Sequence, residues 1–166
     1  DGLAIKSKVW ENVITINLSD QKFSIGPFVK KKSIKNYANK LINEYSIKVD
    51  NPNSSVLTMS GGNMQKLVVA RELSNNFPLI IIENPTWGID VGSIAFIHQK
   101  ILDIKAKGAA ILLVSNELDE IEVLADSAVV MYEGNISKRI TKDIKFRENI
   151  ASKMLSGVHF TENING

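Results

Sequence analysis

Hydrophobic and polar positions follow two different rhythms along this chain. From Pro78 onward, short continuous apolar runs alternate with stretches of helical spacing. Leu79-Ile80-Ile81-Ile82 and Ala110-Ile111-Leu112-Leu113-Val114 predict strands buried on both faces. Between them Ile94, Ile97, Ile101 and Ile104 recur at helical spacing as far as Lys107, and Gly108 supplies a stop. Glu117 to Ala125 predicts a short helix with Leu118, Ile121 and Leu124 on one side. Ala128 to Tyr132 predicts a third strand, Glu133-Gly134-Asn135 a hairpin-type turn into Ile136 to Ile140, and Asp143 to Leu155 a closing helix. Strand, helix, strand, helix, strand predicts an α/β fold whose parallel sheet is built from βαβ units.

Before Pro78 the texture is helical, polar and richer in lysine and asparagine. Helices are expected over Lys8 to Leu18, Ile34 to Tyr45 and Gly61 to Asn75, with Asp50 to Ser55 a loop by composition. The cluster Lys30-Lys31-Lys32, with Lys35 and Lys40, reads first as a solvated helix face and second as a surface for phosphate or anionic lipid. No internal repeat is visible. The change of texture divides the chain into a helical segment, 1–77, and an α/β segment, 78–166.

Composition narrows the class without naming a function. With 166 residues, 44% hydrophobic and 23% charged, the chain can bury a sizeable core, which excludes a disordered tail, a collagen-like repeat and a disulfide-stapled miniprotein. The longest apolar run, Ala109 to Val114, is far below the ~18 residues of a membrane span, and the first residues lack the basic and apolar regions of a signal peptide. Cys 0 removes disulfides, thiol catalysis and Cys-ligated metals; His98 and His159 stand too far apart in sequence to suggest a zinc site. A net charge of +2 is too small to argue for nucleic acid. Composition alone describes a cytoplasmic-type domain.

Three loops carry the candidate chemistry, and each has a plain reading beside the functional one. In Met59-Ser60-Gly61-Gly62-Asn63-Met64-Gln65-Lys66, Ser60 can cap a helix whose apolar face is Met64, Leu67, Val68 and Leu73. The glycines let backbone N–H groups approach a ligand, so the motif is either a capped helix or a phosphate site. Glu83 follows Ser60 by 23 residues and ends the apolar run Leu79 to Ile82, where α/β folds place ligands; it is either a metal-associated acid or a turn residue. Ser115 and Asn116 end the next run and are natural N-caps, and Asp90, after Gly88-Ile89, opens the helix before it.

The order of these motifs resembles the nucleotide-binding subunit of ABC transporters. Ser60 to Lys66 is similar to the ABC signature LSGGQ, with Met59 for Leu and Asn63 for Gln. Leu79 to Glu83 resembles Walker B, Gly88-Ile89-Asp90 the D-loop, and Val114 to Leu118 falls at the switch loop. Asn84 to Gly92 is close to the PTRGIDVG form of simple-sugar and nucleoside importers. Phe96-Ile97-His98, Glu117 to Ile121 and Met131 to Gly134 read like the second, C-terminal cassette of that subgroup. The resemblance implies a helical signature subdomain over 1–77 and the C-terminal part of a RecA-like P-loop NTPase core over 78–166. It implies that Ser60 and the Gly61 and Gly62 amides, with Asn63, contact the γ-phosphate of ATP bound on a partner cassette, and that Glu83 takes the Mg²⁺-associated position, normally Asp. Asn84 stands where the family places its catalytic glutamate, and an amide cannot take a proton from water. Asn116 stands at the switch histidine and cannot shuttle a proton. Asn84 and Asn116, grouped with Asp90 of the D-loop, therefore mark a degenerate catalytic half-site. Trp87 replaces the subgroup's arginine.

No G-x-x-x-x-G-K-S/T loop occurs in the chain. The resemblance then implies a C-terminal piece of one cassette, inactive alone and not binding ATP tightly, whose parent hydrolyses ATP for import of a nucleoside or simple sugar. The implied partners are the second cassette, transmembrane permease subunits and a substrate-binding protein, at the cytoplasmic face of the membrane. An exposed sheet edge beside Leu79 to Glu83 is expected to favour self-association. Two rival readings remain at this level. One is a non-transport ABC ATPase acting on ribosomes or nucleic acid, which the +2 charge does not support; the other is an interaction module in which SGG is only a cap.

Overall fold

The computed structural model describes residues 2–75 and 77–156, so Asp1, Asn76 and the stretch 157–166, including His159, lie outside the described residues. The chain divides into two compact units, Asp1–Ile80 with Pro85–Ala110, and Ile81–Asn84 with Ile111–Gly166.

The first unit is mainly helical: α1 (Val9–Ile14), α2 (Lys31–Glu44), α3 (Gly61–Leu73) and α4 (Val91–Ala106). Helix α1 packs on α2 and α3, and α3 packs on α2 and α4. The reason lies in the spacing of apolar side chains. Ile34, Ala38, Leu41 and Tyr45 fall three or four residues apart and all are buried, as are Leu67 and Ala70 of α3 and Ile97 and Ile101 of α4. Helix α1 is shorter than the expected Lys8 to Leu18. Thr15 Oγ donates back to the Asn12 carbonyl at 3.0 Å, and single turns replace the helix from Ile14 to Phe23, as poor helix formers such as Thr, Ile and Asn favour. A small hairpin, β1 (Ser24–Ile25) with β2 (Phe28–Val29), follows through Gly26 at φ +55°.

The segment before α1 has no regular structure but is bonded at each step. Asn12 is 1% exposed; its Oδ1 accepts from Ala4 N–H at 2.8 Å and its Nδ2 donates to the Ala4 and Lys8 carbonyls. Arg71 donates to the Gly2 carbonyl at 2.7 Å, and Val56 N–H donates to Ser7 O at 3.0 Å.

The strands β3 (Leu79–Glu83) and β4 (Ala110–Val114) pair with each other. Ala110 N–H donates to Pro78 O at 2.9 Å and Asn84 N–H donates to Val114 O at 2.9 Å, start opposite start and end opposite end. The β3–α4–β4 unit is therefore parallel, as the sequence predicts. Burial on both faces is not found. Successive strand residues point to opposite sides, and Ile81 (68% exposed) and Leu112 (53%) stand open while Ile80 is buried.

In the second unit α5 (Leu118–Leu124) packs on α6 (Phe146–Ser156), around a core of Val130, Ile140, Phe146 and Ile150. The expected third parallel strand, Ala128 to Tyr132, is broken instead. Its halves, β5 (Ser127–Ala128) and β6 (Met131–Tyr132), pair antiparallel with β8 (Ile140–Thr141) and β7 (Asn135–Ile136). The turn decides this. Glu133 and Gly134 both have positive φ, +45° and +79°, the type I′ geometry that folds a chain straight back on itself. Buried Ser137 then takes up the break: its Oγ accepts from Val130 N–H at 2.9 Å and its N–H donates to Val130 O at 2.8 Å.

Candidate functional site

In the first unit the site is built on the start of α3. Ser60 is extended at the N-cap, and its carbonyl accepts from Met64 N–H at 2.9 Å. Its hydroxyl does not cap the helix, contrary to expectation. Asn63 Nδ2 donates to Ser60 Oγ at 2.8 Å, while Asn63 Oδ1 accepts from Lys48 N–H at 2.7 Å. The side chain three residues on thus replaces the usual backbone donor. The first-turn amides, Gly61 and Gly62 among them, have no carbonyl a turn earlier to bond, which leaves a cluster of N–H donors at the positive end of the helix.

Asp90 caps α4 beside them. Its carboxylate accepts from Ser93 N–H at 3.0 Å and from Ser93 Oγ at 2.8 Å, and these bonds, helped by the charge of Lys66, hold its pKa below the usual carboxylate value. A Cβ on Gly62 would come 3.1 Å from Asp90 Oδ2, so the D-loop acid and the signature glycine pack directly together. Ser60, Gly62, Asn63 and Asp90, with Lys48 and Lys66, line a cavity of about 370 Å³. Lys66 Nζ sits 5.5 Å from the centroid of the Phe96 ring. Gln65 Nε2 donates to the Pro85 carbonyl at 3.0 Å, tying α3 to the loop after β3. The cavity walls carry amides, a hydroxyl, two lysines and the Asp90 carboxylate, which is held by Ser93; the amide, hydroxyl and lysine side of it suits an anion such as phosphate. Trp87 is 83% exposed, and nothing in the structure explains its presence.

In the second unit Glu83 stands exposed at the end of β3. Asn84 follows at φ +42°, a conformation asparagine tolerates better than most residues. Its Oδ1 accepts from Asn116 N–H at 3.3 Å, so the two predicted degenerate positions are brought into contact. Ser115 Oγ accepts from Glu117 N–H at 3.0 Å, closing the turn that opens α5. Among the described residues no group of three His, Cys, Asp or Glu side chains could hold a metal ion. Glu83 alone does not make a metal site.

Sequence reasoning found Ser60, Gly62, Asn63 and Asp90 but missed Lys48, Lys66 and Ser93. The Asp90-x-x-Ser93 spacing is a readable capping pattern; nothing marked Lys48, which acts through its main chain. A larger cavity of about 620 Å³ lies between α2 and the second half of α4. Its three lysines, Lys40, Lys100 and Lys107, face Glu44 and Asp103, and none of Ser60, Gly62, Asn63, Glu83, Asn84, Asp90 and Asn116 lines it, so size is a poor guide to the site here.

No family model matches the chain. Among curated proteins it is similar to the ribose import ATP-binding protein RbsA of Caldanaerobacter subterraneus, 37% identical over 95% of this chain and 32% of the relative. It is also similar to the nucleoside import ATP-binding protein NupA of Lactococcus lactis, 31% identical over 95% of this chain and 31% of the relative. The chain thus spans about a third of the length of these curated relatives. In solved structures it superposes on the ATP-binding cassette MJ0796, a dimer bound to ADP and Pi, with a TM-score of 0.69 over 84% of this chain and 58% of that one. At 18% identity that match shows the fold alone, that of an ATP-binding cassette. With motifs in order, the chain is similar along nearly its whole length to sugar and nucleoside import ATP-binding proteins and shares the fold of an ATP-binding cassette.

Proposed function

We propose that this chain is the C-terminal part of the second cassette of an importer's ATP-binding subunit, and that it presents Ser60, Gly61 and Gly62 to ATP held on a partner cassette. The observation that carries this is the cavity at the start of α3, where the Ser60 hydroxyl, which makes no cap bond, first-turn helix amides, Lys48 and Lys66 face one space beside the Ser93-bound Asp90 carboxylate. Residues 1–77 form the signature subdomain and 78–166 the C-terminal part of the core. Its own half-site is degenerate: Asn84 has no proton-accepting oxygen to activate water, and its amide oxygen is already engaged with Asn116. ATP fits the anion-accepting wall; among the described residues Glu83 has no cluster of acids or histidines around it to complete a metal site, so Mg²⁺ there would need further ligands from outside these residues.

The names of the relatives support import of a nucleoside or simple sugar and do not favour a ribosomal role. On this reading the chain would work beside a second cassette, permease subunits and a substrate-binding protein. Among the described residues no helix is long and apolar enough to cross a membrane, which is compatible with a peripheral place on the cytoplasmic face. Steady-state ATPase assays on the full-length protein test the reading. Ser60→Arg should abolish most turnover by blocking the trans contact, and Asn84→Gln should change little; the reverse order would sink it. The open faces of β3 and β4 also support self-association of the isolated chain, which a strictly monomeric species in light scattering at high concentration would refute.

A further inference from the structure

The amide of Asn63 has one orientation open to it. Lys48 N–H can only donate, so the Asn63 oxygen must face it, at 2.7 Å, and the Asn63 nitrogen must face Ser60 Oγ, at 2.8 Å. A hydroxyl that accepts from an amide keeps its own proton to give away. An N-cap serine ordinarily accepts from a backbone N–H of the first turn; here that bond is absent, so the backbone N–H and the Ser60 proton are both left for an anion.

The anchor on the other side is firm. Helix α2 ends in a turn with Ser46 at φ +50°, closed by Ile47 N–H donating to Ile42 O at 2.9 Å and Ser46 N–H to Asn43 O at 3.3 Å. Ile47 is buried, which fixes the path of the next residue, Lys48. The line Ser46 turn, Lys48 amide, Asn63, Ser60 runs from the end of one helix to the start of another within the first unit.

We propose that Asn63 is a positioning residue, which acts not by touching nucleotide but by holding the Ser60 hydroxyl as a proton donor, braced on the Lys48 main chain. The inference rests on the trans contact of Ser60 with phosphate and replaces the direct nucleotide contact expected for Asn63. Its test is a double-mutant cycle in the full-length protein, reading kcat/KM for ATP. With Ser60 present, Asn63→Ala should lower kcat/KM about fivefold, the scale of one orienting hydrogen bond. In a Ser60→Ala background the same change should cost less than twofold, because there is no hydroxyl left to aim. An equal loss in both backgrounds would overturn the positioning role and leave the trans contact standing. A Ser60→Ala variant with unchanged turnover would overturn both.

Hydrogen exchange supplies a readout independent of turnover. Asn63→Ala should speed exchange of the Lys48 amide about fivefold or more, with the core amides of α2 and α3 still protected. A Lys48 amide equally slow in the variant would overturn the anchor.

Discussion

Adjacent glycines at the start of α3 should respond to alanine in opposite directions. Around Gly61 no atom lies within 4 Å of an added Cβ, whereas at Gly62 the Cβ would meet Asp90 Oδ2 at 3.1 Å. Removing a helical glycine gains up to ~1 kcal/mol, and about 0.5 kcal/mol is reasonable in a first turn. Gly61→Ala should keep that gain. At Gly62 the same gain meets a carboxylate fixed by two bonds to Ser93, at 3.0 and 2.8 Å, which cannot retreat without loosening the cap of α4. Loss of an N-cap interaction costs ~1 kcal/mol, so Gly62→Ala should be destabilised by about 0.5 kcal/mol net. The two variants should then differ by about 1 kcal/mol, or roughly 3 °C in melting temperature for a chain of this size. Thermal or urea denaturation followed by circular dichroism measures this directly. An Asp90→Ala background removes the obstruction, and there Gly62→Ala should become as stabilising as Gly61→Ala. Equal effects of the two alanines in the unaltered background would refute the packing of Gly62 on Asp90.

Three further outcomes follow from other parts of the chain. The folded pKa of Asp90 lies below its unfolded value of 3.8, so its contribution is complete above about pH 4 and is lost as pH falls through the lowered pKa. Urea midpoints should accordingly show Asp90→Asn less stable than the parent at pH 7, with the gap closing as the pH is brought down through the lowered Asp90 pKa. Ser46 holds a left-handed conformation at φ +50°, and Ser46→Gly should raise stability by about 0.5–1 kcal/mol, seen as a higher urea midpoint at unchanged slope. Phe146, 2% exposed in the core of the second unit, should cost about 3–4 kcal/mol when cut to alanine, again read from urea unfolding.

The elements best read from the sequence were those whose apolar residues decide their own fate. Strand β4 matches its apolar run residue for residue, and the isoleucine ladder of α4 falls inside the helix it predicts. What the sequence concealed depended on neighbours. An apolar run does not say whether both its faces are covered, and Ile81 and Leu112 are open. The run from Ala128 to Tyr132 looked like a third parallel strand because its partner was unknown; the Glu133–Gly134 turn brought an antiparallel one closer. The same holds in the site. Asp90 was legible as a cap because it follows Gly88-Ile89 and opens the helix that the isoleucine spacing predicts; its partner Ser93 was not. The bond from Lys48 to Asn63 spans 15 residues and uses a backbone amide, which leaves no mark on residue identity.

The segment from Gly2 to Lys8 shows that order does not require helix or strand. Its main chain is engaged by Asn12, Arg71 and Val56 at Gly2, Ala4, Ser7 and Lys8, which ties the segment down without helix or strand. A protease needs backbone that can pull free into its cleft, and side-chain exposure alone does not provide it. Trypsin should therefore cut only slowly after the exposed Lys8, whose N–H donates to Glu11 at 2.8 Å and whose carbonyl accepts from Asn12 Nδ2 at 3.0 Å. Lysines equally available to a modifying reagent would differ widely as cleavage sites, and the difference would map the woven backbone of this segment.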